Sequence, residues 1–364
     1  MKYQDDLDSL ERPITPRAES IILQEAVYTF MKNNRLVELD SLRGIAALAV
    51  VLFHYLFRYD QIYGHAFDVS ALLEYGYYGV HLFFIISGFV IYWTLSRCKT
   101  SLDFIWSRFT RLYPVFWAAL LTTYFVTLVF ALPGREPEWL TLVANFFMFH
   151  EYFGFPHVDG VYWTLSIELA FYFWMVTIYS LGQTKHIDQI LIVWVGACVL
   201  LDVLAISLSF RVESFLIVHY IEFFAIGVCF YKYKHMSTSW WTHALLAVCA
   251  LSLFASYPLV PALMFAGFML VLALIVVDRA ALLRNRVLVY FGAISYALYL
   301  IHQNVGYVVI LKMYELNASP IVGVLVAIAT SVGLAHLLMT CVERPALRYL
   351  RARYKERQAV QGVW

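Results

Sequence analysis

The chain has 364 residues, of which 62% are hydrophobic and only 14% charged, with a formal net charge of +1 and a mean hydropathy of +0.70. No soluble domain of this length needs so much apolar surface, so composition excludes that class and points to a polytopic membrane protein. The five cysteines (Cys98, Cys198, Cys229, Cys249 and Cys341) form no close pair and no metal-ligand spacing, which argues against a disulfide framework and against any metal site.

In chain order, residues 1–36 form a mixed-charge leader with prolines at 13 and 16. Ile21 to Met31 is either a short surface-lying amphipathic helix or a tethered tail. A polar stretch this long before the first apolar span is not a cleavable signal. Ten apolar spans are expected to follow, at 39–58, 76–96, 112–132, 160–181, 187–206, 214–232, 241–257, 259–278, 288–311 and 319–341. Trp139 to His150 is apolar but too short to cross, and reads as re-entrant or interfacial. A basic tail closes the chain at 346–364. No internal repeat is visible.

Lys and Arg set the orientation. All but four of the 26 (Arg58, Arg135, Arg211 and Lys312) fall on the side that receives both termini. The expected fold is therefore an all-α bundle of about ten transmembrane helices, residues 37–345, with leader and tail both cytoplasmic. An even number of spans satisfies that arrangement.

The first span, ELDSLRGIAALAVVLFHYLF, carries Arg43 and His54. At ~100° and ~1.5 Å per residue they share one helix face about 16 Å apart. Both are costly in lipid and should face a protein interior. Placing the other buried polar groups by depth gives two tiers. His54, His81, Glu168, Asp202, His219, Glu222 and His302 lie toward the outer side, while Arg43, Arg108 and Arg111 lie at the cytoplasmic rim. Several admit plain readings: His81, His219 and His302 as interfacial hydrogen-bonders, and Arg108 and Arg111 as positive-inside anchors. A carboxylate as deep as Glu168 needs a partner. Arg108 and Arg111, three apart at the expected start of a helix, share a face and could clamp phosphate bidentately. His54 is a general base by type, and Glu168 could fix its tautomer and stabilise its imidazolium. A phosphorylated donor entering from the cytoplasm would unite the tiers, although the layout by itself does not name the reaction.

Six stretches then resemble one family. LDSLRGIAALAVVLFHY (39–55) has its Arg, ten residues, His arrangement, and GYYGVHLFFIISGFVIYW (76–93) is similar to its glycine-rich second span. RFTRLYP (108–114) matches its Arg-x-x-Arg motif and WTLSIELAFYFW (163–174) its Trp-x-Leu-x-x-Glu signature. SYALYLIH (295–302) and VERP (342–345) complete the set. In this order they resemble the type-3 acyltransferases, integral-membrane enzymes that O-acylate carbohydrates, and look most like the exopolysaccharide O-acetyltransferase branch. One departure is His81, where the family commonly carries an acid.

The resemblance implies His54 as the catalytic residue with Glu168 in support, and Arg43, Arg108 and Arg111 as donor-binding residues. His81, Trp163, Ser166, Tyr172, Ser295, Tyr299, His302 and Glu343 would support the site. The implied co-substrate is acyl-CoA, most often acetyl-CoA, with no permanently bound cofactor. The implied partners are that donor, a glycan acceptor, membrane lipid and, as an option, a second copy of the chain, but no nucleic acid. The implied location is the bacterial inner membrane. Direct transfer and an acyl-histidine intermediate fit these residues equally. The expected activity is transfer of an acetyl or short acyl group to a hydroxyl of a cell-surface or exported polysaccharide. Two other readings stand beside it: an O-acyltransferase of small molecules or lipids, and a proton-coupled transporter using the same buried groups as a relay. The transporter predicts inverted repeats, which the sequence lacks.

Overall fold

A computed structural model of the chain describes residues 36–136 and 138–360. The leader therefore lies almost wholly outside the described residues, including the stretch Ile21 to Met31. From Glu38 onward the chain forms one compact unit. It is all-α, with no strand among the described residues, as lipid demands of a spanning chain that must satisfy its own backbone.

Eight helical runs are long and apolar enough to cross a membrane. They are α1 (Val37–Tyr63), α2 (Ala71–Leu95), α3 (Ser101–Phe130), α4 (Gly160–Ser180), α5 (Thr184–Val203), α8 (Leu259–Val276), α9 (Arg286–Glu315) and the run Pro320–Ala359. The last divides into α10 (Pro320–Leu338), a π-helical turn over Met339–Glu343, and α11 (Arg344–Val360). Between α5 and α8 lie α6 (Ile221–His235) and α7 (Trp240–Ser256), shorter helices in place of two expected spans.

The expected span 214–232 is the clearest departure. The chain instead makes a short helix at Phe210–Phe215 and turns through Ile217, whose φ of +56° is left-handed, before α6 begins. At ~1.5 Å per residue the 15 residues of α6 reach about 22 Å, short of a ~30 Å hydrocarbon core. Its residues 221–231 are all buried in protein, so its hydropathy reports a core helix rather than a lipid-facing one. α3 departs in the other direction, beginning at Ser101 instead of 112. A capping box sets that start: the Thr100 hydroxyl accepts the Asp103 N–H at 3.2 Å, and Asp103 Oδ2 accepts the Thr100 N–H at 2.8 Å. Arg108 and Arg111 thus lie inside the helix, one turn apart, rather than at its start.

α9 is the hub, its apolar window 89% buried, and it packs on α1, α3 and α10. Two close backbone approaches set the frame. Gly44 meets the Leu288 carbonyl while Gly292 meets the Asp40 carbonyl, and Gly88 and Gly227 do the same between α2 and α6. A Cβ at any of these would collide with backbone, which is why small residues mark helix crossings in membranes. The first crossing sets Arg43, Ser295 and Tyr296 around one cavity.

Within α1 the helix is regular to Leu52 and widens to a π turn over Phe53–Arg58. That turn lets adjacent side chains His54 and Tyr55 both address α9. The Tyr55 hydroxyl reaches the His302 carbonyl at 2.7 Å and Ser331 Oγ on α10 at 2.6 Å. Single-turn π segments of this kind recur at functional sites.

Candidate active site

A cavity of about 250 Å³ opens among α1, α2, α3, α4, α9 and α11. Arg43, Arg108, Arg111 and Arg351 line it together with Glu168, Tyr172, Ser295, Tyr296 and Tyr299. The sequence-derived cationic tier is therefore one site. Arg111 forms an ion pair with Glu343 from the second π turn and lies over the Tyr296 ring. Arg108 donates to Thr94 and Ser107 hydroxyls, both at 3.2 Å, and its buried Nε has no partner. Arg43, Arg108 and Arg351 make no ion pair among the described residues. Four guanidiniums thus face two carboxylates, one of them already paired. Such an excess of partly buried cation is unfavourable unless an anion completes it.

Glu168 lines the same cavity, but its partners differ from expectation. Oε1 accepts the Ser87 hydroxyl at 2.8 Å and the Tyr172 hydroxyl at 2.6 Å. Nothing joins it to His54, so the expected imidazole–carboxylate couple is not formed. The Ser87 hydroxyl of α2 and the Tyr172 hydroxyl, one turn along α4 itself, satisfy the carboxylate where it stands, in the cavity that the arginines line.

The His54 partner is another imidazole. His302 is fully buried, and its Nδ1 donates to the Leu298 and Tyr299 carbonyls at 3.2 and 2.9 Å. A carbonyl only accepts, so that nitrogen carries the proton and Nε2 keeps its lone pair. His302 Nε2 lies 3.1 Å from His54 Nδ1, which also lies 2.9 Å from the Val50 carbonyl. Two acceptors around one nitrogen place a proton on His54 Nδ1. The remaining nitrogen of His54, Nε2, is then the basic one. His302 does by a neutral hydrogen bond what Glu168 was expected to do by charge.

The residues before α4 brace this end of the bundle. Asp159, fully buried, accepts the Asn304 N–H at 3.1 Å and the Val161 N–H at 3.3 Å. Burial pushes its carboxyl up to about 6, against those two hydrogen bonds. Asn304 also donates to the Val158 carbonyl at 2.9 Å and accepts from Arg135 at 2.8 Å. Asn304 is two residues beyond His302, so these bonds fix the helix segment that presents the imidazole.

Tyr299 connects the two ends. Its hydroxyl is held by Thr164 at 2.9 Å and the Val161 carbonyl at 3.2 Å. Its ring lines the cavity and stands 5.8 Å from that of His302. His54 itself does not line the cavity, which reaches to within that one ring of the imidazole pair.

Three expected supporting residues lie apart. His81 is 2% exposed and ringed by Tyr77, Tyr78, Tyr220, Phe223, Tyr257 and Phe265. Trp163 packs on Phe84 and Tyr220, and Ser166 donates to the Met148 carbonyl at 3.0 Å. Sequence reasoning missed Ser87, Asp159, Asn304 and Arg351 as contributors. Gln303 and Asn304 beside His302 were a readable signal, since three successive polar residues inside an apolar span are expensive.

An arginine-lined cavity with a backbone-anchored imidazole pair beyond it, inside an all-helical bundle, defines an integral membrane protein with a cationic cavity. Comparison with known proteins supplies the rest. The acyltransferase-3 model, described as an acyltransferase domain, matches residues 36–340. The chain belongs to that family. It is 32% identical over 152 residues to acyltransferase MdmB of Streptomyces mycarofaciens, which covers 38% of each chain. It is 31% identical over 140 residues to exopolysaccharide production protein ExoZ of Rhizobium meliloti, covering 32% of this chain and 37% of that one. The aligned region thus spans well under half the length of these relatives. No solved structure matches the chain.

Proposed function

We propose that the protein transfers an acetyl or other short acyl group from acyl-CoA to a hydroxyl of a cell-surface or exported polysaccharide, in the bacterial inner membrane with both termini cytoplasmic. The carrying observation is the pairing of an arginine-rich cavity, in cationic excess, with a neutral imidazole dyad one aromatic ring beyond it. Coenzyme A supplies the negative charge that the cavity lacks, and its pantetheine arm is long and uncharged enough to follow the cavity toward Tyr299. The Lys and Arg bias supports a cytoplasmic arginine end, the side from which the donor would enter. The exopolysaccharide production protein among the relatives supports a glycan acceptor.

In the reaction, His54 Nε2 takes the proton of the acceptor hydroxyl as its oxygen attacks the thioester carbonyl. The carbon–sulfur bond breaks, the acyl carbon–oxygen bond forms, and the imidazolium returns the proton to the departing thiolate. The Val50 carbonyl and His302 Nε2 stabilise the positive charge at Nδ1 between those events. His302 is a positioning residue here, and Arg43, Arg108 and Arg111 anchor phosphates. The test is transfer by the purified protein of radiolabel from [1-14C]acetyl-CoA to polysaccharide from the same cells, with mass spectrometry locating the ester. Label that stays in acetyl-CoA while the protein moves protons or solutes across vesicles would overturn the assignment in favour of a transporter.

A further inference from the structure

α11 belongs to the basic stretch read from sequence as a tail, yet it is docked. The Trp106 indole N–H donates to the Leu350 carbonyl at 3.4 Å, and its ring stacks on Tyr354 at 5.5 Å. The Tyr354 hydroxyl and Gln358 Nε2 both donate to Asp103 Oδ1, at 2.9 and 2.6 Å. Asp103 is the same residue that closes the capping box of α3. Arg351, Tyr354 and Gln358 are spaced i, i+3 and i+7, one face of a helix. The face that grips α3 is therefore the face that turns Arg351 into the cavity mouth, where it joins Arg43, Arg108 and Arg111. Its neighbour Arg353 faces elsewhere, exposed and paired with Glu356.

We infer that Arg351 is a further anion subsite of the donor cavity, beyond Arg43, Arg108 and Arg111, and takes the 3′-phosphate of coenzyme A. This rests on the reading of the cavity as the donor site. Three guanidiniums in the cavity lack a carboxylate partner, and coenzyme A carries a diphosphate and one separate phosphate on its ribose. The order of the ligand assigns them. The thioester must travel deepest, toward Tyr299, so the adenosine end stays at the mouth. Arg351 is the exposed member of the set, whereas Arg108 is partly buried with its Nε shielded. A headgroup phosphate of an anionic lipid offers the same chemistry from a different source.

Titration calorimetry of the purified full chain in phosphatidylcholine nanodiscs, with coenzyme A and with 3′-dephospho-coenzyme A, tests this. Wild type should prefer coenzyme A about tenfold, the worth of one charge-assisted phosphate contact. Arg351→Ala should bind both compounds alike, at the wild-type affinity for the dephospho form, while Arg353→Ala keeps the preference. Retention of the tenfold preference by Arg351→Ala, or its absence in wild type, overturns the subsite and leaves the donor reading standing. Binding of neither compound by wild type overturns the donor reading itself. A thermal destabilisation of Arg351→Ala seen only when phosphatidylglycerol is added, with the preference intact, gives the guanidinium to a lipid headgroup and also overturns the subsite.

Discussion

The two ends of the bundle each contain a π turn and treat polarity in opposite ways. Around Met339–Glu343 the structure gathers arginines and leaves most of them without counter-charge. Around Phe53–Arg58 it gathers imidazoles and matches them with carbonyls and with each other. An end that is electrostatically incomplete is suited to capture a ligand, because the ligand supplies the missing charge. An end that is already complete is suited to chemistry, because its groups need no rearrangement when a proton moves. Under the proposed function, the difference separates affinity in the cavity from reactivity at an imidazole pair one ring beyond it.

The sharpest way to break this comparison is at the complete end. His54→Ala should lower turnover by roughly 10³-fold or more with the donor KM little changed, as loss of a general base does. Steady-state kinetics on folded variant, its fold checked by thermal melting, decides this, and near-wild-type turnover refutes it. The converse change is Arg108→Ala with Arg111→Ala, which should raise the acetyl-CoA KM about 100-fold while kcat moves far less. A pure kcat loss there would mean that the arginines act in the chemical step.

A smaller effect separates positioning from catalysis. His302→Ala should cut kcat about tenfold and change the pH–rate profile of kcat/KM, since the His54 proton loses one of its two acceptors. An unaltered profile with reduced melting temperature would leave His302 only a packing role. The smallest effect is on stability. Asp159 ionises near 6 in the fold and near 3.9 when unfolded, so the native state holds the extra proton between those values. Stability therefore falls as pH rises from about 4 to 6, by up to ~3 kcal/mol. Asp159→Asn should flatten that part of a melting-temperature against pH curve, and a curve unchanged by the substitution would contradict it.

Much of the fold was legible because hydropathy and helix length are local properties. Arg43, Arg108 and Arg111 were found for the same reason: each is expensive where it stands, and helical spacing aligned them. The partner of His54 was not legible. His302 lies 248 residues away, and no local pattern says which of several buried polar groups an imidazole will meet. Glu168 was the plausible choice by chemistry, and the structure satisfies it with Ser87 and Tyr172 instead. The early start of α3 was written plainly in Thr100 and Asp103, a capping signal that an apolar-span reading passes over because both residues are polar. Arg351 was counted as topological charge; only the grip of Trp106 and Asp103 on α11 gives it a place.

The π turn in α1 carries a consequence for how this helix tolerates change. Loss of one residue between Tyr55 and Arg58 would leave an equally greasy stretch that any hydropathy plot scores as the same span. The widened coil would then relax to ordinary pitch, and histidine and tyrosine could no longer both reach the central helix. Here the number of residues, more than their kind, holds the imidazole in place.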